Sequence, residues 1–131
     1  MGSIIGYLGL GNMGQPMAHR LMDAGNNIAV YDISEKAIKP LVERQASPAN
    51  SPNDLADKSE IVICSSPSTQ IIKDAVLGTD GLVHGKKIRV YVNACTTGST
   101  FAKEISDALA EKGIATLEAP ISGGPPGARA G

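Results

Sequence analysis

Apolar positions along the chain fall into short clusters that alternate between two periods, with Gly, Pro, Asn or Asp marking most of the junctions. Ser3 to Leu8 reads as a strand, and Met13, Met17 and Leu21 with Ala18 and Met22 then recur on one helical face. Ile28 to Tyr31 is a second strand. Glu35 to Gln45 predicts a helix N-capped by Ser34, which Pro40, too deep for its missing N–H to be harmless, should kink or shorten. Ala46 to Asn50 is a poor strand at best. Ser51-Pro52-Asn53-Asp54 has the form of an N-cap followed by proline at the first helical position, and opens a short helix to about Asp57. Ile61 to Cys64 is an unbroken apolar run, as a strand covered on both faces requires.

The second half repeats the alternation. Ser68 is placed to cap a helix carrying Ile71, Ile72, Ala75, Val76 and Leu77, with Gly78 as its stop. Ile88 to Val92 is the next strand. Ser99 or Thr100 is expected to cap a helix with Phe101, Ile105, Ala108 and Leu109 on one face and Gly113 at its end, and Ile114 to Leu117 closes the series as a strand. Strands and helices in strict alternation predict an α/β domain with a doubly wound, mostly parallel sheet. At 131 residues such a unit uses nearly the whole chain, so residues 1–131 read as one domain.

Composition narrows the function classes. A net charge of −1 and 3% aromatic residues supply neither the basic footprint nor the stacking platforms of a nucleic-acid binder. The apolar start lacks a basic leader and is broken by glycines and Asn12, so it is not read as a signal peptide, and the chain is expected in the cytoplasm with no membrane partner. Cys64 and Cys95 each end a strand-like run without a CxxC or a third ligand, which favours small half-buried hydrophobes over a metal site. No metal is expected, and His19 and His84 read as surface residues.

The chemistry lies between the first strand and the first helix. Gly9, Gly11 and Gly14 stand at GxGxxG spacing: the first for the sharp turn, the second for close backbone approach to a pyrophosphate, the third for helix packing on the strand. Pro16 sits in the first helical turn, where an N–H has no partner anyway. Asp32 closes the second strand about 20 residues past the glycines, where a carboxylate meets the adenosine ribose. Strand, glycine turn, helix, strand and acid in series point to a Rossmann-type dinucleotide site. An acid at that position favours NAD over NADP, whose 2′-phosphate it would repel.

Two motifs then resemble the β-hydroxyacid dehydrogenases, the group that includes 3-hydroxyisobutyrate and tartronate-semialdehyde dehydrogenases. GLGNMGQPMA at Gly9 to Ala18 is similar to that family's cofactor signature, and EAPISGGPPGARAG at Glu118 to Gly131 to its substrate-loop signature. The resemblance implies that Gly9, Leu10, Gly11, Asn12, Met13 and Gly14 line the pyrophosphate and that Asp32 meets the ribose. It also implies that Ser65, Ser66 and Pro67 flank the cofactor, that Thr96 lies near the nicotinamide ribose, and that Ser122, Gly123 and Gly124 hold a small hydroxy-acid substrate. Arg20, Ser66, Asn93, Cys95 and Glu118 depart from the family pattern at positions where it has asparagine, leucine, aspartate, serine and aspartate. The family's catalytic lysine falls on a helix beyond Gly131, followed by an all-helical domain. The expectation is therefore a cofactor half that binds dinucleotide without turnover on its own and is prone to self-association, with a homo-oligomer expected above all where that second domain follows. A different class remains open: a non-catalytic dinucleotide-binding module, or the cofactor domain of an imine- or pyrroline-type reductase, which shares the first motif but does not need the second.

Overall fold

The computed structural model describes residues 4–66, 68–95, 97–119 and 128. Six strands, β1 (Ile4–Leu8), β2 (Asn27–Tyr31), β3 (Ser47–Pro48), β4 (Ile61–Cys64), β5 (Val90–Asn93) and β6 (Ala115–Glu118), form one sheet in the order β3-β2-β1-β4-β5-β6. Every pairing is parallel. The order runs outward in one direction from β1 and then, after the crossover to β4, in the other, so that a crevice opens at the carboxyl ends of β1 and β4 where the flanking connections diverge.

Parallel strands need crossover helices on both faces, and the alternation of side chains supplies two cores. Tyr7, Ile28 and Val30 point to the face covered by α1 (Gly14–Asp23) and α2 (Glu35–Val42), where Ala18 and Leu41 are buried against them. Leu8, Ala29, Val62, Cys64 and Tyr91 point to the opposite face. There they meet α3 (Pro52–Lys58), α4 (Thr69–Leu77) and α5 (Ser99–Ala110) through Leu55, Ile72, Val76, Ile105 and Leu109. A short 3₁₀ turn at Leu82–His84, not foreseen from the sequence, seals that core with a fully buried Leu82.

The element boundaries show which local signals won. Ser51 caps α3 as expected, its hydroxyl accepting from the Asp54 N–H at 3.0 Å, and Ser68 does the same for α4 from Ile71 N–H at 3.4 Å. Ser34 occupies the cap position of α2 but makes no side-chain cap bond; the Asp32 carboxylate takes the Ser34 N–H instead. α2 runs through Pro40 and ends at Val42 rather than Gln45, because Gln45 takes φ +75° and lets the Ala46 N–H close on the Leu41 carbonyl. The cap of α5 is Gly98 at φ +83°, not Ser99 or Thr100, because the turn out of β5 needs a conformation that L side chains resist. Of the apolar residues carried by α4, Ile72 and Val76 are buried and Ile71 is 40% exposed.

Candidate functional site

The glycine loop is shaped by two contacts that tolerate no side chain. Gly9 has φ +92°, and a Cβ there would stand 1.9 Å from the Ser65 carbonyl oxygen, so its absence lets the end of β1 lie directly on the loop after β4. A Cβ on Gly14 would stand 1.8 Å from the Gly9 carbonyl oxygen, which is how α1 starts so close to the strand that feeds it. Gly11 differs. A Cβ there would meet nothing within 4 Å, and the residue is exposed. No neighbouring protein atom and no positive φ accounts for a glycine at position 11, whose backbone borders the cleft described below. Leu10 is buried beneath the loop, Met13 occupies the N-cap position of α1, and Asn12 is exposed beside Gly11. α1 begins at Gly14, directly after this loop, so the positive end of its dipole lies beside Gly11.

Asp32 ties this loop to the second strand. One carboxylate oxygen accepts from the Leu10 N–H at 2.7 Å and the other from the Ser34 N–H at 2.8 Å. An ionised carboxylate has about four acceptor directions, so two remain for hydroxyl donors.

Four carboxyl-edge connections are joined side by side. Tyr7, buried in β1, donates its hydroxyl to Ser65 Oγ at 3.1 Å. Burial pushes the Tyr7 phenol up to about 12, so it stays a neutral donor at any physiological pH. The Ser66 N–H donates to Cys95 Sγ at 3.0 Å, and Cys95 Sγ donates in turn to the Cys64 carbonyl at 3.3 Å. Contact with the Cys95 thiol, then burial, pushes the Cys64 thiol up, whereas hydrogen bonding from Cys64 and from the Ser66 amide holds Cys95 down at about 7. Cys64 is thus wholly buried and Cys95 9% exposed, a tighter pair than two half-buried hydrophobes, and both are free thiols.

Asn93 completes the series. Its Oδ1 accepts from the Cys95 N–H at 3.2 Å, and its Nδ2 donates to Thr97 Oγ1 at 3.3 Å and Glu118 Oε1 at 3.0 Å. Asn93 and Glu118 are therefore partners, an amide donating to a carboxylate across neighbouring strands. Tyr7 and Asn93 were not singled out as functional from the sequence, since a polar atom at the end of an apolar strand gives no periodic signal of its partner.

Pro67, Thr96, Ser122, Gly123 and Gly124 lie outside the described residues. Of those described, Gly9, Gly11, Asp32, Ser65 and Ser66 line one cleft of about 400 Å³ together with Ile33 and Ile71, whereas Leu10 and Asn12 line a separate concavity on the α1 side that meets it at Gly11. The glycine loop, the anchored carboxylate and this mainly apolar cleft together fit a dinucleotide. His84 is exposed as expected, whereas His19 is half-buried and hydrogen-bonded through Nδ1 to Arg44 at 2.8 Å, and burial followed by that guanidinium holds it below its ordinary value. Among the described residues no group of three His, Cys, Asp or Glu side chains could hold a metal, and no helix is long and apolar enough to cross a membrane.

Comparison with known proteins places this geometry. Residues 4–131 match the family model of the NAD-binding domain of 6-phosphogluconate dehydrogenase. The chain is 42% identical over 130 residues to a 3-hydroxyisobutyrate dehydrogenase of Pseudomonas aeruginosa, covering 97% of this chain and 43% of that protein. Among solved structures it is similar to a Mycobacterium tuberculosis 3-hydroxyisobutyrate dehydrogenase with L-serine, at a TM-score of 0.88 and 28% identity over 99% of this chain and 44% of that one. It is also similar to a Streptomyces aurantiacus imine reductase, at a TM-score of 0.84 and 28% identity over 95% of this chain and 43% of that one. The chain thus spans less than half the length of these relatives.

Proposed function

The chain belongs to the family of NAD-binding domains typified by that of 6-phosphogluconate dehydrogenase, and from that premise we propose that it is the cofactor half of an oxidoreductase acting on a small 3-hydroxy acid. NAD, when bound, supplies the hydride acceptor; the residues of this chain bind and orient it. The observation that carries the reading is the contrast within the glycine loop. Gly9 and Gly14 are glycines because protein atoms crowd them, and Gly11 is one although none do. In the proposed roles, Gly9 to Gly14 line the pyrophosphate, Asp32 meets the adenosine ribose, and Ser65, Ser66 and Pro67 flank the cofactor. Thr96 is assigned to the nicotinamide ribose, and Ser122, Gly123 and Gly124 to the substrate.

Support for the hydroxy-acid class comes from the similarity to the Pseudomonas 3-hydroxyisobutyrate dehydrogenase and from the SGG segment at Ser122 to Gly124. Oxidation of a hydroxyl needs a group that takes its proton as hydride leaves, worth roughly a hundred- to ten-thousand-fold in rate. Ser65, Ser66 and Thr97 are poor bases and are assigned to orientation. The proton acceptor is assigned to the part of the relatives that this chain does not span.

Calorimetric titration with NAD and NADP tests the cofactor assignment: NAD binds more tightly, and tighter NADP binding would overturn it. Activity is tested on the whole protein by NADH formation from 3-hydroxyisobutyrate, glycerate and serine. The similarity to an imine reductase supports a second reading, in which the same domain serves reduction of a C=N bond. Turnover of a cyclic imine with no NADH formed from any hydroxy acid would favour it.

A further inference from the structure

Two of the large apolar side chains left exposed among the described residues line the same cleft. Ile33, 78% exposed, follows Asp32 directly, and Ile71, 40% exposed, stands on α4. Exposed apolar side chains set on different elements around one concavity are suited to a flat apolar group. Because Ile33 adjoins the carboxylate assigned to the adenosine ribose, the group carried by that ribose is the one that enters between Ile33 and Ile71. Asp74 and Ala75 also line the cleft from α4, and with Ile71 they lie at i, i+3 and i+4, on one helical face.

Asp74 brings a specific chemistry to that face. Among the described residues its side chain takes one hydrogen bond, from Gln70 Nε2 to Oδ1 at 3.0 Å, and this holds the carboxylate along the helix. An ionised carboxylate only accepts. It therefore suits a ring edge that presents N–H groups and opposes one that presents a carbonyl oxygen. Ser65 and Ser66, the other polar residues on the α4 side of the cleft, carry hydroxyls that both donate and accept and so cannot make that distinction.

We propose that Asp74 determines base specificity, its carboxylate accepting from the exocyclic amine of an adenine ring held between Ile33 and Ile71. This rests on the reading of the cleft as a dinucleotide site. It adds to that reading a residue that selects adenine over a 6-oxo purine, through contact with the base and not with the reacting carbons.

The test compares Kd values by calorimetry for NAD and for nicotinamide hypoxanthine dinucleotide, which differs in having a carbonyl oxygen in place of the adenine amine. The wild-type chain should prefer NAD by roughly fivefold to tenfold, the size expected of a part-exposed hydrogen bond to a charged acceptor. Asp74→Asn, whose amide can turn either an oxygen or an NH₂ toward the ring, should bring the ratio close to one with Tm unchanged. Equal binding of the two dinucleotides by the wild type, or an Asp74→Asn variant that keeps the wild-type ratio, would overturn the proposal while leaving the cofactor assignment intact. Failure of the wild-type chain to bind either dinucleotide would overturn the cofactor assignment and the proposal together.

Discussion

Three glycines within six residues do different physical work, and their substitutions should separate accordingly. Gly11→Ala places its Cβ in open space, so Tm without ligand should stay within a degree or so while NAD binding falls at least tenfold by calorimetry. Gly9→Ala puts a Cβ at φ +92° and against the Ser65 carbonyl; the backbone cost alone is about 1–3 kcal/mol, and a urea melt should show at least that loss. A Gly11→Ala protein that unfolds, with its folded fraction still binding NAD normally, would show the loop to be misassigned. Asp32 also carries two loads. Asp32→Ala orphans the Leu10 N–H, a desolvated donor whose loss of partner costs about 1–3 kcal/mol, so the variant should be less stable as well as less selective for NAD over NADP. Selectivity that narrows without any fall in Tm would mean that the carboxylate does not organise the loop.

At the scale of elements, local chemistry predicted the starts of α3 and α4, where a serine supplies the cap, and misplaced the cap of α5, where the backbone does. Ser51, with Pro52 after it, closes the first turn of α3, and Ser51→Ala should cost about 1 kcal/mol in urea denaturation. A smaller loss, under a few tenths, would show that the tertiary contacts of α3 hold the helix without its cap. The start of α5 was misplaced because Gly98 solves by φ what a serine solves by hydrogen bonding. Of the apolar residues that the sequence places on α4, Ile72 and Val76 take the buried stripe, and Ile71, a residue to one side, lines the cleft.

Across the whole molecule, two buried tyrosines make the fold sensitive to alkali. Tyr7 has its phenol raised from 10.0 to about 12, chiefly by burial, and Tyr91 is raised as well. The folded state keeps these protons where the unfolded state has lost them. For Tyr7 that contribution is complete below pH 10 and is lost as pH climbs through 12, at up to about 1.4 kcal/mol per pH unit, and Tyr91 adds in the same direction. Urea midpoints should fall steeply between pH 10 and 12, and Tyr7→Phe, slightly destabilised at pH 7 by loss of the Ser65 bond, should fall with a shallower slope. An unchanged slope would remove Tyr7 from the account.

Sequence alone determined the alternation of strands and helices, the parallel doubly wound class, the glycine loop and the acid at the end of β2, because each depends on spacing within about 25 residues and on the backbone demands of single residue types. Tertiary structure decided what joins residues distant in the chain. Tyr7 with Ser65, Asn93 with Glu118 and Ser66 with Cys95 are hydrogen-bonded across neighbouring strands, and no period in the sequence records which strand will be the neighbour. It also decided that Ile33, Ile71 and Asp74 share one cleft. That follows only once β1 and β4 lie side by side and the chain's two windings part between them, since the burial of the sheet's two faces sets that order and the cleft is the space it leaves.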